Sequence, residues 1–284
     1  MRFEKWQALG NDYLVFEAGE LGAHAVRRLC DPHFGPGADG VLALAPPDAP
    51  GFVARLRIYN PDGSEAELSG NGAREAILYL RRSGWTDSDS FSIQTAAGEI
   101  RPTITGPTTC RVDMGRASLQ SGNYPGGAAD GRGELTAAGT AYRFQHVTIG
   151  NPQCSIRVAD EAALKRLDLG LVGPQIERSP LFPNRTNVSF WTELAADRIR
   201  ARIFERGVGE TLSSGTGATG AAVAHVLRGG DSPVTVVLDG GELQVDVDEA
   251  LHVDLTGWAV PIYRGQLSEE LLHELREASD RGGD

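Results

Sequence analysis

The chain carries the same turn twice, half its length apart. Residues 67–75 read ELSGNGARE and residues 211–220 read TLSSGTGATG. Each is a Ser-Gly-polar-Gly-Ala turn that runs into an apolar stretch, and the two serines are separated by 214 − 69 = 145 residues in a chain of 284. At that fixed offset, RLRIYNPDGSEAELSGNGA (Arg55 to Ala73) and RARIFERGVGETLSSGTGA (Arg200 to Ala218) share Arg55/Arg200, Arg57/Arg202, Ile58/Ile203, Glu65/Glu210, Ser69/Ser214, Gly70/Gly215, Gly72/Gly217 and Ala73/Ala218. LGNDYLVFE from Leu9 echoes IGNPQCSIR from Ile149, and AGEI from Ala97 echoes GGEL from Gly240. A repeat of this length means two diverged copies of one folding unit.

Each copy has the same order of signals. RLRIYN and RIRARIFE alternate as strands with one face wet, and a glycine turn and a helix follow them. The second helix, ATGAAVAHVLRG, is apolar nearly all round and built of small residues, so it is expected to be enclosed by its own domain. FSIQTAAGEIRPTI and VTVVLDGGELQVDV read as hairpins, the second continuing into LHVDLTG. SGNYPGGAADGRG (residues 121–133) is turn-rich and is expected near the domain junction. SEELLHELREASDRGGD at the C-terminus reads as an amphipathic helix fraying into a polar end. The fold class expected is α/β: two similar, pseudo-symmetric domains, residues 1–116 plus 262–284 and residues 117–261, each with a mixed sheet wrapped around a central helix.

Apolar residues make up 40% of the chain and charged residues 23%, the balance of a globular protein that buries a core. A net charge of −11 argues against a nucleic-acid partner, which needs a basic face. No run approaches the roughly 18 apolar residues of a membrane span, and the start, MRFEKWQALG, lacks a secretory apolar core. The cytoplasm is the expected location. Cys30, Cys110 and Cys154 match no metal spacing and read as reduced thiols, Cys154 as a buried structural one.

A Gly-x-Gly turn opening a helix presents backbone N–H groups together with the positive end of the helix dipole, a natural cradle for carboxylate or phosphate. Neither turn has the lysine of a phosphate-binding loop or the dinucleotide spacing, which argues against a nucleotide. Taken singly, Ser69 and Ser214 read as helix caps. Taken as a pair related by a repeat, they suit the movement of a proton across one carbon.

The sequence resembles the diaminopimelate epimerases, pyridoxal-independent isomerases of two similar α/β domains. The resemblance covers nearly the whole chain: LGNDYLVF, GADGV at Gly37, YNPDGSE at Tyr59, GNGAR at Gly70, GNPQC at Gly150, RTNVSF at Arg185, FERGVGETL at Phe204 and GTGA at Gly215. It implies epimerisation of LL- to meso-diaminopimelate, on the route to lysine and peptidoglycan precursors, with no cofactor and no metal. The implied partner is a small amino-acid substrate, with a homodimer as the expected assembly.

In that family a cysteine precedes each Gly-x-Gly-Ala turn; one takes the α-proton as thiolate and the other supplies a proton to the opposite face. Ser69 and Ser214 stand at those positions. A thiol ionises near about 8.5, and lower at a helix N-terminus, whereas a serine needs a neighbouring base. The sequence shows no such base, and Gln153 stands where the family usually has histidine. Further family cysteines are replaced by Glu75 and Thr219. The resemblance also implies that Gly70, Asn71, Gly215 and Thr216 hold the carboxylate at the reacting carbon, and that Asn11, Asn60, Asn151, Asn187, Glu205 and Arg206 contact the substrate. Three readings of the serines stand open: a natural relative with altered or absent racemisation, an epimerase with its cysteines replaced deliberately, or another proton transfer by a hydroxyl on one face, such as elimination (a lyase) or one-sided isomerisation. A diamino-acid-binding protein without turnover is the reading from a different class.

Overall fold

The computed structural model describes residues 1–66 and 69–280; the polar end expected beyond the last helix lies outside them. In chain order the first elements are β1 (Arg2–Ala8), β2 (Asn11–Phe16), α1 (Ala23–Cys30), β3 (Val41–Ala45), β4 (Ala54–Tyr59), β5 (Glu65–Ala66), α2 (Gly70–Arg82), β6 (Ile93–Thr95), β7 (Gly98–Ile100), β8 (Pro102–Gly106) and β9 (Thr109–Arg116). The middle of the chain forms β10 (Arg132–Ala137), β11 (Thr140–Thr148), β12 (Pro152–Arg157), α3 (Glu161–Arg166), α4 (Leu169–Glu177), β13 (Asn187–Ala195), β14 (Arg198–Glu205), β15 (Gly209–Thr211), α5 (Gly215–Val226), β16 (Val234–Leu238), β17 (Gly241–Val247) and β18 (His252–Trp258). β19 (Val260–Gln266) and α6 (Glu269–Asp280) close it.

Two compact units result, residues 1–112 with 257–284, and residues 113–256. The chain passes between them inside β9 and β18, a few residues from the expected 116/117 and 261/262. A continuous strand carries no local signal of where one core ends. The turn-rich stretch 121–133 falls within the second unit, where Tyr124 is buried against Phe144 and Phe182.

The duplication extends to hydrogen-bond register. In the first unit, β4 pairs antiparallel with β5 (Ile58↔Ala66, Tyr59↔Glu65) and parallel with β6 (Ala54↔Ile93). In the second, β14 pairs antiparallel with β15 (Ile203↔Thr211, Phe204↔Glu210) and parallel with β16 (Ile199↔Val236). The β4–β5 pairs map onto the β14–β15 pairs by adding 145. The ion pair bridging them is repeated as well: Arg57 Nε donates to Glu65 Oε1 at 3.1 Å, and Arg202 Nε donates to Glu210 Oε1 at 2.8 Å. In both units the sheet is mixed, with β2–β3 and β12–β13 parallel and their other neighbours antiparallel.

Each unit's central helix lies in a close-packed interior. α2 buries every residue from Asn71 to Leu80, and α5 buries Gly215 and all of Gly217–His225. Small residues on α5 let strands approach: a Cβ on Gly217 would stand 2.7 Å from Ile203 Cδ1, and one on Gly220 would stand 2.8 Å from Gln153 Cβ. The expectation of an enclosed second helix is met. α6 returns to the first unit, where Leu272 and Leu275 join Phe3, Leu14, Phe16 and Leu29, and Glu274 accepts two hydrogen bonds from Arg28. Among the described residues, no helix is long and apolar enough to cross a membrane.

Gly217→Ala drives a methyl group into Ile203, whereas a Cβ at Gly122 meets nothing within 4 Å. Overpacking of this kind costs about 1–3 kcal/mol. Urea unfolding is expected to show a lowered midpoint for Gly217→Ala and an unchanged one for Gly122→Ala.

Candidate functional site

In the first unit the site starts from the turn between β1 and β2. Leu9 and Gly10 both have positive φ (53° and 83°), the two-residue connection that a twisted hairpin favours, and it sets Asn11 opposite Ala8. Asn11 Oδ1 accepts from Asn71 Nδ2 at 3.2 Å, and Asn11 Nδ2 donates to Asp39 Oδ2 at 2.9 Å. Fully buried Arg74 donates to Asn71 Oδ1 at 2.6 Å and to the Gly70 carbonyl at 3.0 Å, which fixes the first turn of α2. Ser69 caps that helix: its Oγ accepts the Gly72 N–H at 3.1 Å. The same oxygen accepts from the Tyr13 hydroxyl at 3.1 Å. Asn60 instead serves its own turn, donating from Nδ2 to Ser64 Oγ at 3.0 Å.

The second unit repeats the plan with different chemistry. Ser214 caps α5 through the Gly217 N–H at 3.2 Å. Asn151 Nδ2 donates to Thr216 Oγ1 at 3.2 Å, the counterpart of the Asn71–Asn11 bond. Thr219 Oγ1 donates to the Gly215 carbonyl at 3.0 Å, the role Arg74 has in the first copy. Gln153, at the position matching Tyr13, donates to Asn151 Oδ1 at 2.6 Å. Asn187 is engaged at both ends of its amide: Nδ2 donates to the Pro152 carbonyl at 3.0 Å, and Oδ1 accepts the Arg206 N–H at 2.9 Å. The exposed Arg206 donates from Nη1 to the Asn184 carbonyl at 3.0 Å. Buried Glu177 holds the turn beyond it by accepting the Gly207 N–H at 2.8 Å.

Glu205 supplies what the sequence did not show. Burial raises its pKa, while the hydroxyls of Thr211 and Ser214 pull it back down. A carboxyl group therefore stands beside one of the two serines, at the end of β14 just ahead of β15. Sequence reading places Glu205 among the substrate contacts and finds no base. Glu205 precedes Ser214 by 214 − 205 = 9 residues, and only the hairpin of β14 with β15 folds the chain back to bring them together. The offset held a further signal: 205 − 145 = 60, so the first copy has Asn60 at this place. Tyr13 escapes sequence reading for a like reason, since only the packing of β2 beside α2 brings it to Ser69.

A helix offers the N–H groups of its first turn no acceptor of its own, and at both turns the serine oxygen accepts that of the third residue. Gly70 and Asn71 open one helix and Gly215 and Thr216 the other, each beside its serine. Such an arrangement holds an anion at the helix end and keeps a hydroxyl next to it. Elsewhere, a cavity of about 720 Å³ in the second unit is lined by Arg132, Arg143, Arg157, Arg228 and Trp191, with neither serine in its wall. Arg143 and Arg157 there are paired with Glu134 and Glu193. Among the described residues, Asp113, His252 and Asp254 on β9 and β18 form a group with ligand-type atoms within 4.8 Å of one another, away from both turns in sequence.

Comparison with known proteins agrees with this plan. The diaminopimelate epimerase family profile matches residues 3–120 and 145–260. The chain is 39% identical over 281 residues to the diaminopimelate epimerase of Pelotomaculum thermopropionicum, covering 94% of this chain and 98% of that one. It is 40% identical over 276 residues to that of Magnetococcus marinus, covering 94% and 96%. Among solved structures, a phenazine biosynthesis protein of the PhzF family from Bacillus anthracis matches with TM-score 0.66 at 16% identity, over 94% of this chain and 99% of that one. A hydroxyproline epimerase from Agrobacterium vitis matches with TM-score 0.65 at 15% identity, over 95% and 92%. These two likenesses show the shared fold.

Glu75 gives the first unit a pH signature. It is fully buried in α2, and neither carboxyl oxygen has a hydrogen-bond partner of good geometry. Burial lifts its pKa well above the usual range, against the pull of Arg74 and the weaker one of the Tyr13 backbone N–H. Asp12 and Asp39 push in the same direction as burial. A folded-state pKa above the unfolded one leaves stability intact below the unfolded value, about 4.3, and removes it as pH rises through the folded value. Glu75→Gln is expected to match the parent in melting temperature at acid pH and to exceed it increasingly as pH rises. Parallel melting curves over that range check this; a constant difference contradicts it.

Proposed function

The chain belongs to the diaminopimelate epimerase family, an isomerase family, and from that premise we propose that it moves the α-proton of diaminopimelate from one face of the carbon to the other, with Ser69 and Ser214 at the two proton-transfer positions. The observation that carries the proposal is the pair of matched helix starts, each with a serine cap, an ordered first turn and, in the second unit, a carboxyl group beside the serine.

The substrate carboxylate would lie against the N–H groups of Gly70, Asn71, Gly215 and Thr216. There the negative charge that grows as the proton leaves is met by donors already in place. Glu205 makes a serine usable as the base. As the Ser214 oxygen takes the α-proton, its own proton passes to Glu205, and the electron pair of the broken C–H bond is held over the substrate carboxylate. Ser69 then delivers its hydroxyl proton to the opposite face. Burial raises the Glu205 pKa and so strengthens the carboxylate as acceptor, although a hydroxyl in this role remains a weaker base than a thiolate.

At the far end of the substrate, Arg206 presents a guanidinium for a second carboxylate, and Asn11, Asn60 and Asn151 offer amide groups for the ammonium and carboxylate atoms. Asn187 acts one step back, holding the Arg206 backbone. A short amino acid would leave these polar groups unpaired, which favours a long diamino diacid. One observation supports a second reading, a diamino-acid-binding protein without turnover: each serine oxygen is already engaged as a cap.

Incubation of the protein with LL-diaminopimelate in D2O, followed by NMR at the α-carbon, separates the two readings. Slow exchange in the serine form is expected, rising by at least about two orders of magnitude in Ser69→Cys/Ser214→Cys, in the range that general acid–base groups contribute. Glu205→Gln is expected to abolish the slow exchange. Calorimetric binding with no exchange in either form would leave only the binding protein.

A further inference from the structure

We infer that Tyr13 is a positioning residue that fixes Ser69 as the proton donor of the pair, so that the two halves of the duplicated site are not interchangeable. The inference rests on the proton-transfer reading of the serines given above.

A serine hydroxyl has two acceptor lone pairs and one proton to donate. At Ser69 the lone pairs are both engaged, by the Gly72 N–H at 3.1 Å and by the Tyr13 hydroxyl at 3.1 Å. Its remaining capacity is to donate. An oxygen that has just given up its proton there keeps two donors directed at it, and hydrogen bonds to a charged partner are the stronger kind. A neutral serine held in this way is a poor acceptor for an α-proton and a good source of one.

Tyr13 is held firmly enough for the task. It is 6% exposed, and its ring lies over Gly40, where an added Cβ would come within 2.5 Å of Tyr13 Cε1 and of the Tyr59 carbonyl. Gly40 therefore makes the room that the aromatic ring needs. The repeat shows that this donor is not part of the shared scaffold. At the matching place the second copy has Gln153, whose amide nitrogen donates to Asn151 rather than to Ser214. The reverse exchange is seen at the other partner position, where Glu205 stands beside Ser214 and Asn60 is engaged by Ser64 in its own turn. One serine has a phenol as donor, and the other has a carboxyl group whose ionisation its hydroxyl favours. The duplicated frame is symmetric in register, and its chemistry is polarised.

The test replaces Ser69 by a group whose ionisation can be read directly. In the full chain carrying Ser69→Cys, ultraviolet thiolate absorbance is followed against pH with and without Tyr13→Phe. The resident thiols stay silent in the neutral range: burial pushes Cys30 and Cys110 up to about 12, and Cys154 is raised as well. Loss of the Tyr13 donor is expected to raise the pKa of the introduced thiol by about one unit, a roughly tenfold loss of thiolate at neutral pH, as befits one hydrogen bond to a charged group. An unchanged thiol pKa between two variants of equal melting temperature overturns the inference. If Tyr13→Phe does not fold, the Ser69→Cys titration is set against that of Ser214→Cys, at a helix start without the phenol: a lower pKa at position 69 supports the inference, and an equal or higher one overturns it. Because this titration reads no turnover, it stands or falls separately from deuterium exchange.

Discussion

A buried helix must start somewhere, and the N–H groups of its first turn have no partner inside the helix. Both central helices of this chain meet that constraint in the same way. A serine in extended conformation caps the third residue, a glycine at that third residue lets a strand pack close, and a side chain one turn on ties the carbonyl of the first residue. The cap leaves the leading N–H groups beside a hydroxyl. Donors suited to an anion and a hydroxyl are therefore set next to each other by the geometry of a helix end.

Duplication explains why the two helix ends are alike, and divergence explains how they differ. The Arg–Glu pair bridging β4 to β5 recurs between β14 and β15 at the same offset as the serines, so the strand that leads into each turn is held in one register. That ladder fixes where the serine, the glycines and the preceding Asn60 or Glu205 emerge. Within it, Asn60 and Glu205, Tyr13 and Gln153, and Arg74 and Thr219 have been exchanged without disturbing the backbone. Side chains at matched positions then give one turn a phenol donor and the other a neighbouring carboxyl group.

Divergence has also left its mark on the interior. Arg74 and Glu75 are adjacent and wholly buried; the guanidinium orders the first turn of α2, and the carboxyl oxygens lack a well-formed hydrogen bond. Burying a carboxylate at such depth disfavours its charged form and lifts the Glu75 pKa well above the usual range, against the pull of Arg74. The group lies 75 − 69 = 6 residues from Ser69, on the helix that Ser69 caps, so its protonation state bears on the element that carries the first turn of the site.

Much of this was legible in one dimension. The offset of 145 residues, the alternation of RLRIYN and RIRARIFE, and the small-residue run after GTGA set out two α/β copies with a glycine turn before a buried helix, because period and spacing are local properties of a chain. The repeat singled out the two serines, and the family resemblance named the residues around them. Tertiary structure alone decided partnership. Tyr13 reaches Ser69 only because β2 packs beside α2, Glu205 reaches Ser214 only because β15 folds back on β14, and Asn187 proved to be committed to Pro152 and Arg206. A chain's order of residues determines which groups exist and at what spacing. Hydrogen bonds and pKa values depend instead on distances between residues far apart along the chain, and those come into being only when the strands pair.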